Sequence, residues 1–536
     1  MAAATQHYHW WQDGIIYQIY PRSFQDSNAD GVGDLQGIIS RLDYLKDLGM
    51  TAIWISPIFP SPMADFGYDI SDYRAIHPLF GSMDDFDQLL TEVHRRDMKL
   101  LLDLVPNHTS DQHAWFQESK SSRDNPKRDW YIWKDAHPDG AEPNNWLSMF
   151  GGSAWEWDEH TQQYYYHGFL KEQPDLNWRN PEVQKAMMEV MRFWLDKGID
   201  GFRVDVIFHM VKDDQFRNNP VNPDYQPHMN NYDQLLPVYS TDQPAVHEIV
   251  AMMRQVTDQY EDRVLIGEIY LPLNRLVSYY GVNHTGVHLP FNFQLLVLPW
   301  EAQQIATVID QYEGSLPEGG WPNWVLGNHD QPRIASRVGY SQARVAAMLL
   351  LTLRGTPTIY YGEEIGMRDV PIPAEEVRDP QGLNMPDLNL SRDPARTPMQ
   401  WNGQEHAGFS SAHPWLRLAS DYRRVNVEAQ EHDPYSMLTL YRKLIQLRQQ
   451  EPALNVGSYT PVFADRQMMA FVREDADSRF LVVLNLSHRT CYFKPKDFSF
   501  KGRIEVATLP ERDGQPVQDK IDLSGDEGVV IRLESA

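Results

Sequence analysis

A short apolar run followed by a helical pattern recurs along much of this 536-residue chain. The first run covers residues 15–20, and Leu35, Ile38, Leu42 and Leu45 then recur at the spacing of one helix face. Short apolar runs that alternate with helices are typical of parallel strands, because crossover helices bury both faces of a parallel sheet. The alternation therefore predicts an α/β fold with a parallel sheet.

Eight such runs are present, which is the number of strands that closes a (β/α)8 TIM barrel. The expected strands are 15–20, 52–56, 100–105, 201–206, 264–269, a run near 288–293, 324–327 and 356–361. A chain of this length exceeds one small core, so additional domains are expected beside the barrel.

Two stretches interrupt the alternation, and a third follows it. Residues 108–175 are rich in Trp, Tyr, Asn and Gly and predict a subdomain inserted after the third strand, on one face of the barrel. A polar, proline-rich insert is expected near 368–425. Alternating apolar residues in 459–536 predict a C-terminal antiparallel β-sandwich. The barrel itself is expected to comprise 1–107 and 176–458.

The charge balance restricts the partners. Lys and Arg number 48 against 74 Asp and Glu, a net charge of −26. This balance argues against nucleic acid and anionic membranes, which attract basic surfaces, and suits a neutral substrate. No apolar run approaches the roughly 18 residues of a transmembrane helix. The sequence carries no feature that specifies an oligomeric state.

The cysteine content and the first residues bear on location. Cys491 is the only cysteine, so no internal disulfide forms, which suits a reducing compartment. Residues 1–11 have neither the basic nor the apolar region of a secretion signal. We expect a cytoplasmic protein; secretion without a leader is the alternative.

Polar residues stand at the carboxyl ends of four expected strands, the edge at which such barrels carry their active sites. They are Asp103 with Asn107 and His108, Arg203 with Asp205, Glu268, and His329 with Asp330. A single buried acid usually belongs to a structural ion pair. Several carboxylates at one rim repel each other and lose hydration, so they destabilise the fold unless they have a function. The pattern predicts an active site.

Three acids in one pocket fit glycoside hydrolysis. One carboxylate attacks the anomeric carbon, and a second, with a raised pKa, protonates the leaving oxygen and then activates water. The third stabilises the distorted, oxocarbenium-like sugar. The separation of the two main carboxyls, about 5–5.5 Å in retaining enzymes and larger in inverting ones, is left open by these residues alone.

Four sequence blocks carry a family resemblance: Asp103-Leu-Val-Pro-Asn-His108, Gly201-Phe-Arg-Val-Asp205, Gly267-Glu268 and Asn328-His329-Asp330. By these blocks, and by the order of its domains over nearly the whole chain, the sequence resembles the α-amylase clan, glycoside hydrolase family thirteen. The resemblance implies a retaining mechanism in which Asp205 is the nucleophile, Glu268 the acid/base and Asp330 the transition-state stabiliser.

The same resemblance implies roles for neighbouring side chains. His108 and His329 are expected to hold hydroxyls of the glucose in the first subsite, and Arg203 to orient the nucleophile. The sequence contains no nucleotide, flavin or haem motif, so no organic cofactor is expected.

A further block, Gln173-Pro-Asp-Leu-Asn177, is similar to the signature of the oligo-1,6-glucosidase and α-glucosidase branch rather than of endo-acting amylases. Asp65, Tyr68 and Arg396 match residues that close the non-reducing end of the pocket in that branch, although Arg392 lies close to Arg396 in the chain. A closed pocket implies exo action, with one terminal glucose removed per event. The expected substrates are isomaltose, maltose and short oligosaccharides.

Other residues bear on specificity. Phe150 and Phe169 are interpreted as walls of the site, with core packing as the alternative. In relatives, the residue after the nucleophile is often Val in enzymes that cut α-1,6 bonds and Thr in those confined to α-1,4 bonds; Val206 therefore favours α-1,6 cleavage. Phe208-His209, and Ile-Tyr-Leu-Pro after the acid/base, are expected to shape the leaving-group side.

Two alternatives to hydrolysis are compatible with a fold of this kind. Glucosyl transfer, sucrose isomerisation and trehalose synthesis use the same covalent intermediate and differ in whether water or a sugar accepts the glucosyl group. A non-catalytic binding relative is disfavoured, because such chains lack the catalytic acids and carry a transmembrane helix.

An oxygen-rich loop near the start predicts a structural Ca2+ or Mg2+. Asp26, Asn28, Asp30 and Asp34 alternate around a glycine-containing turn, where the carbonyl of Val32 supplies another oxygen. The loop begins like an EF-hand but lacks the Glu at its twelfth position, so no sensor motif is implied. The alternative is a turn that caps the following helix. The resemblance places such an ion far from the catalytic residues.

Overall fold

The computed structural model describes residues 8–534, and its centre is a closed barrel of eight parallel strands. The prediction about a secretion signal in 1–11 falls largely on residues 1–7, outside the described residues. The barrel strands are Ile16–Ile19, Ala52–Ile55, Lys99–Leu104, Gly201–Val204, Val264–Ile269, Leu289–Asn292, Asn323–Val325 and Thr356–Tyr360. All eight predicted strands are confirmed, and each pairs in parallel with its neighbours around the barrel.

Helices surround the strands, and local sequence fixes their ends. Asn180 accepts a hydrogen bond from the N–H of Glu182 at the start of Pro181–Lys197, and Gly198 ends that helix with φ of 105°. Apolar side chains inside the barrel, among them Trp54 and Phe291, form its core. The α-helices are Trp10–Asp13, Leu35–Ser40, Leu42–Leu48, Met83–Arg95, Ala114–Ser121, Pro181–Lys197, Val246–Thr257, Leu273–Leu276, Gln294–Val297, Ala302–Ser315, Ile334–Val338, Tyr340–Thr352, Pro380–Asn384, Val427–Gln430, Met437–Gln450 and Pro452–Asn455.

The insert after the third barrel strand contains more regular structure than its sequence suggests. Three antiparallel strands, in the order Trp133–Lys134, Gln163–Tyr166 and Trp155–Asp158, form a small sheet. Aromatic side chains pack around it, with Trp146 and Trp155 buried. These strands are only two to four residues long, too short for an alternating pattern to reveal them.

The C-terminal part is antiparallel, as predicted, and is built from two sheets. The larger sheet has six strands. The strands are Ser458–Ala464, Met468–Glu474, Arg479–Asn485, Lys501–Ala507, Pro516–Gln518 and Gly528–Leu533, with Cys491–Phe493 and Ile521–Leu523 in the smaller sheet. Apolar side chains from both sheets share one core.

Within residues 8–534, no helix is long and apolar enough to cross a membrane. Cys491 is buried and unpaired.

Candidate active site

A cavity of about 410 Å³ opens where the carboxyl ends of the barrel strands meet. It collects ten of the twelve residues that the sequence assigned to catalysis and substrate binding. These ten are Asp65, Tyr68, His108, Phe150, Phe169, Asp205, Val206, Glu268, His329 and Asp330. The other two, Arg203 and Arg396, lie behind the wall, and each is only 1% exposed.

Arg203 joins three carboxyl groups below the cavity. Its Nη1 donates to Asp103 Oδ1 across 3.0 Å and to Asp205 Oδ1 across 2.8 Å. Its Nη2 lies 2.7 Å from Oε2 of Glu268. A buried arginine between carboxylates offsets their repulsion and fixes their positions, because its planar fork presents several donors in fixed directions. The guanidinium therefore orients both Asp205 and Glu268.

Burial changes the acidity of this pair. Burial first, and then repulsion from Glu268, raises the pKa of Asp205 against the attraction of Arg203. Burial likewise raises the pKa of Glu268. The two carboxyls lie within hydrogen-bond range of each other. Two carboxyls this close titrate as a pair: loss of the first proton makes loss of the second less favourable, because it would place two negative charges side by side.

Asp330 has the opposite environment. Burial opposes its ionisation, but the attraction of neighbouring positive groups, His329 when protonated together with Arg392 and Arg396, lowers the pKa of Asp330. Arg396 Nη2 donates to Asp330 Oδ1 across 2.8 Å. Asp330 therefore ionises more readily than either carboxyl of the pair beside it, and carboxyls with such different pKa values can take different roles in glycoside hydrolysis.

One part of the cavity wall is formed by an ion pair between Asp65 and Arg392. Arg392 Nη2 donates to Asp65 Oδ1 across 2.6 Å, and Arg392 Nε donates to Asp379 Oδ1 across 2.8 Å. Arg392 also lines the cavity, with its guanidinium carbon 4.8 Å from the ring centre of Phe150. The ion pair and the Phe150 ring therefore form adjoining parts of the cavity wall.

This geometry corrects the choice of Arg396 as the arginine that closes the pocket. Arg396 Nε donates to the carbonyl oxygen of His329 across 2.8 Å and its Nη2 reaches Asp330, so it supports these residues from behind. Arg392, four residues earlier, is the one whose guanidinium reaches the cavity. Both arginines lie in an irregular segment without helical or strand periodicity, so their spacing in the sequence could not show which one reaches the cavity.

His329 is held by a chain of polar contacts. Gln18 Nε2 lies 2.7 Å from Nδ1 of His329, and the Tyr68 hydroxyl lies 2.7 Å from its Nε2. The rings of Tyr68 and His329 stack at 5.4 Å with 4° between their planes. Burial lowers the pKa of His329 well below its ordinary value, so the ring is neutral. Its orientation is fixed before substrate arrives.

His108 is held by the segment that resembles the branch signature. Gln173 Nε2 lies 3.1 Å from Nε2 of His108, and Asn107 Nδ2 lies 3.1 Å from its Nδ1. Asn107 in turn bonds the buried pair formed by Lys212 and Asp175. Burial lowers the pKa of His108 to about 4. This histidine is therefore neutral and rigid.

Phe150 and Phe169 form an aromatic wall rather than only a core. Their ring centres are 5.7 Å apart in an edge-to-face arrangement, and Phe169 lies 5.2 Å from the ring of His108. The leaving-group residues suggested by sequence, Phe208 with His209 and the segment after Glu268 that contains Tyr270, also line the cavity.

The sequence patterns did not reveal the part of the cavity wall that loops supply. Its residues are Met149, Tyr232, Asp233, Pro237, Thr241, Gln331, Gln381 and Arg392. The long connection 213–245 provides several of them, and a long irregular segment after the nucleophile strand is itself a signal, because such loops commonly carry function.

The predicted metal loop bonds mainly to its own backbone. Asp26 accepts hydrogen bonds from the N–H groups of Asn28 and Gly31, and Asp30 Oδ1 accepts from the N–H of Val32. Asp34 accepts from the N–H of Gly37 and so caps the helix Leu35–Ser40. These bonds leave lone pairs on the side-chain oxygens.

Oxygen donors of this kind fit a hard cation. Among residues 8–534, however, no three His, Cys, Asp or Glu side chains are close enough to hold a metal by themselves. An ion here would need Asn28 Oδ1 and the Val32 carbonyl as well as the carboxylates, and it stays a prediction.

Comparisons with known proteins agree with this geometry. Residues 18–457 match the family described as alpha amylase, catalytic domain. A probable alpha-glucosidase of Rhizobium meliloti (strain 1021) is 42% identical over 494 residues, covering 89% of each chain. An oligo-1,6-glucosidase of Halalkalibacterium halodurans is 43% identical over 523 residues, 90% of this chain and 92% of that protein.

Solved structures are similar over almost the full length. The alpha-glucosyl transfer enzyme XgtA has a TM-score of 0.92 at 40% identity and covers 98% of this chain and 100% of its own. The isomaltulose synthase SmuA of Protaminobacter rubrum has a TM-score of 0.90 at 36% identity, covering 99% and 100%. With the acids, the pocket and these similarities established, the chain belongs to the α-amylase catalytic-domain family of glycoside hydrolases.

Proposed function

We propose that this protein is a retaining, exo-acting α-glucosidase that releases terminal glucose from small α-glucosides and prefers α-1,6 bonds. The observation that carries the proposal is the ion pair of Asp65 with Arg392, 2.6 Å long, in the cavity wall; we infer that it closes the cavity at a blind end that receives the terminal glucose. A polysaccharide chain cannot pass through a closed end, so only a terminal glucose reaches the acids. Relatives named oligo-1,6-glucosidase and alpha-glucosidase support this activity.

The first chemical step uses a proton held by Glu268. Glu268 donates it to the glycosidic oxygen while Asp205 attacks the anomeric carbon, forming a glucosyl–aspartate ester and releasing the leaving group. Arg203 stabilises the carboxylate of Asp205 until attack. Asp330 is ionised and lies where it can stabilise positive charge on the sugar ring.

The second step reverses the roles. Glu268, now a carboxylate, takes a proton from water, and the water oxygen attacks the anomeric carbon and releases Asp205. Two displacements at one carbon retain its configuration. The close approach of the two carboxyls supports this course, because an inverting enzyme needs a wider separation, about 6.5–9.5 Å, to admit water between its general base and the substrate.

Transfer to a sugar acceptor is the second candidate, favoured by the similarity to the alpha-glucosyl transfer enzyme XgtA. The two activities share every residue up to the glucosyl–enzyme ester and differ in the acceptor. The leaving-group side bears Phe208, Tyr270 and Leu271, whose apolar surfaces reduce the room for ordered water. We favour hydrolysis because two similar proteins named as glucosidases are 42% and 43% identical to this chain, against 40% for XgtA.

Two further elements belong to the proposal. A structural Ca2+ or Mg2+ would be held by the 26–34 loop, where it would neutralise the carboxylates of Asp26, Asp30 and Asp34. A cytoplasmic location is supported by the single, buried Cys491, since a protein without disulfides suits a reducing compartment. Cell fractionation with periplasmic and cytoplasmic markers tests the location.

The test of function is the fate of isomaltose and maltose, followed by NMR. Hydrolysis should release two glucose molecules from each disaccharide, the one from the non-reducing unit first appearing as the α-anomer, with higher kcat/KM for isomaltose. β-Glucose from the non-reducing unit would overturn retention, and trisaccharides or isomerised disaccharides, with at most one glucose released per disaccharide consumed, would favour transfer.

A variant test accompanies it. Glu268→Gln should lower turnover of isomaltose by a factor of about 10²–10⁴, because an amide cannot donate the proton. Azide should rescue Glu268→Gln on an aryl α-glucoside whose leaving group needs no proton, and yield α-glucosyl azide. Near wild-type turnover of isomaltose by this variant would overturn the assignment.

A further inference from the structure

The cavity contains one carboxylate that the structure leaves uncompensated. Asp233 lies on the short 3-10 helix Asn231–Gln234, within the 213–245 connection, and lines the cavity. Within residues 8–534 its side chain has no hydrogen-bond or ion-pair partner, and partial burial alone raises the pKa of its carboxyl. Partial burial of a carboxylate costs free energy when no protein group pairs with it. A ligand that donates hydrogen bonds or carries positive charge would offset this cost.

The other carboxylates of the cavity are all compensated. Asp205 and Glu268 contact Arg203, and Asp65 and Asp330 contact Arg392. Their hydrogen-bonding capacity is largely used by the protein itself. Asp233 differs from these four carboxylates because no arginine, lysine or histidine of the described residues pairs with its side chain.

Asp233 lies on the outer, leaving-group part of the cavity. Its side chain is partly exposed to solvent, whereas Asp205 and Glu268 are only 7% and 3% exposed, so Asp233 lies nearer the mouth of the cavity than these two acids. The terminal glucose occupies the blind end beside Arg392, so the remaining space, between Glu268 and solvent, receives the rest of the substrate. Arg392 at the blind end is the only Lys or Arg that lines the cavity, within the described part of the chain. The outer part therefore has a carboxylate and no cation.

We propose that Asp233 sets the charge class of the leaving group: the enzyme accepts neutral and amino-bearing sugars there and rejects sugars that carry phosphate or carboxylate. This inference rests on the proposed α-glucosidase function and specifies its substrates. An ammonium group on the leaving group would form an ion pair with the carboxylate of Asp233, and hydroxyls would donate hydrogen bonds to it. A phosphate or carboxylate on the leaving group would be repelled.

Two amide side chains add polar groups to the cavity wall. Gln331 follows Asp330, and Gln381 lies on the helix Pro380–Asn384; both line the cavity. Neither side chain makes a hydrogen bond to another described residue, so both are available to hydroxyls of the second sugar. Neutral amides bind hydroxyls without regard to charge, which leaves the discrimination to Asp233.

The experiment compares three disaccharides that differ only in the reducing unit: maltose, maltose with a phosphate on O6 of the reducing glucose, and α-1,4-glucosyl-glucosamine. Assays at pH 7.5 and low ionic strength keep the carboxylate and the phosphate ionised and limit screening. The wild type should show kcat/KM in the order amino, neutral, phosphorylated.

Asp233→Lys should raise the ratio of kcat/KM on the phosphorylated substrate to that on maltose by at least about tenfold, because the repulsion becomes attraction. Asp233→Asn should raise it less. The matched control is Asp224→Lys, which makes the same charge change at an exposed residue of the same connection that does not line the cavity. It should leave the ratio within about twofold, because its charge is screened by water and salt.

Equal ratios in wild type and Asp233→Lys, or equal shifts in Asp233→Lys and Asp224→Lys, would overturn the inference while leaving the α-glucosidase proposal intact. Failure of the wild type to release glucose from maltose and isomaltose would instead refute the function on which the inference rests. Maltose turnover by each variant reports that the variant has folded.

Discussion

Val206 donates its backbone N–H to Oε2 of Glu268 across 2.9 Å. It does so from a left-handed backbone conformation, with φ of 34° and ψ of 46°, which a β-branched residue rarely adopts. Strain of this kind costs about 1–3 kcal/mol and persists only where the surrounding structure enforces it. One residue therefore both orients Glu268 and, through its side chain, shapes the cavity beside Asp205.

Because the backbone and the side chain of Val206 have different roles, Val206→Thr should change the side-chain role alone. The backbone bond to Glu268 should survive, whereas a hydroxyl replaces a methyl group at the cavity wall. We expect the ratio of kcat/KM on isomaltose to that on maltose to fall at least about tenfold, within the range of one methyl-sized change in a pocket. The pH dependence of kcat should stay unchanged. A shifted pH profile with an unchanged ratio would contradict the division of roles.

Arg392 and Arg396 should differ in their effect on glucose binding. Arg392→Lys keeps the positive charge but loses the planar guanidinium, whose N–H donors face the cavity. The inhibition constant of glucose should therefore rise about ten- to a hundredfold, the effect of losing one charged hydrogen bond. Arg396→Lys, behind His329 and Asp330, should lower kcat more than glucose affinity. Glucose inhibition and single-turnover rates measure the two effects; equal losses of affinity would contradict the placement.

The sequence was sufficient for the barrel because each strand and helix has a local pattern of its own. Apolar runs predicted all eight strands to within a few residues, and the acids at their carboxyl ends converge because parallel strands bring those ends to one edge. The signature blocks lie on such strands, so the positions of their residues follow from the sequence alone. Asp205 and Glu268 are far apart in the chain yet share Arg203.

The rest of the site depends on loops, whose paths local patterns do not determine. The pairing of Asp65 with Arg392 joins residues 327 positions apart. Which of two nearby arginines reaches the cavity depends on how the irregular segment around Asp379 folds. Asp233 belongs to a connection without helical or strand periodicity, so its position at the cavity could not be inferred.

A bound cation in the 26–34 loop should be visible as chelator-sensitive stability. EDTA should lower the melting temperature of the wild type, and added Ca2+ or Mg2+ should restore it, because an ion that binds only the folded state stabilises it. Asp30→Ala should remove this response while changing kcat little, since no residue of the 26–34 loop lines the cavity. Asp84→Ala, at the exposed start of the helix Met83–Arg95, is the control. A wild-type melting temperature that changes neither with EDTA nor with added Ca2+ or Mg2+ would count against a bound ion.

Glu363, after the last barrel strand, should make stability fall as pH rises. It is 2% exposed, and burial, against the attraction of Arg333, raises its pKa to about 8. Between the ordinary carboxyl pKa, about 4.3, and that value, the folded protein holds a proton that the unfolded chain has lost. Unfolding therefore releases a proton, and the free energy of unfolding contributed by Glu363 decreases with pH through this window.

Glu363→Gln removes this titration while keeping the shape of the protonated side chain. The variant should therefore gain stability relative to wild type as pH rises from 5 to 8, by an amount on the order of 3–5 kcal/mol. Urea unfolding at four pH values measures the difference, in which the contributions of other titrating groups cancel. The exposed Glu375→Gln should show no such trend. A constant difference between Glu363→Gln and wild type would mean that Glu363 titrates alike in the folded and unfolded states.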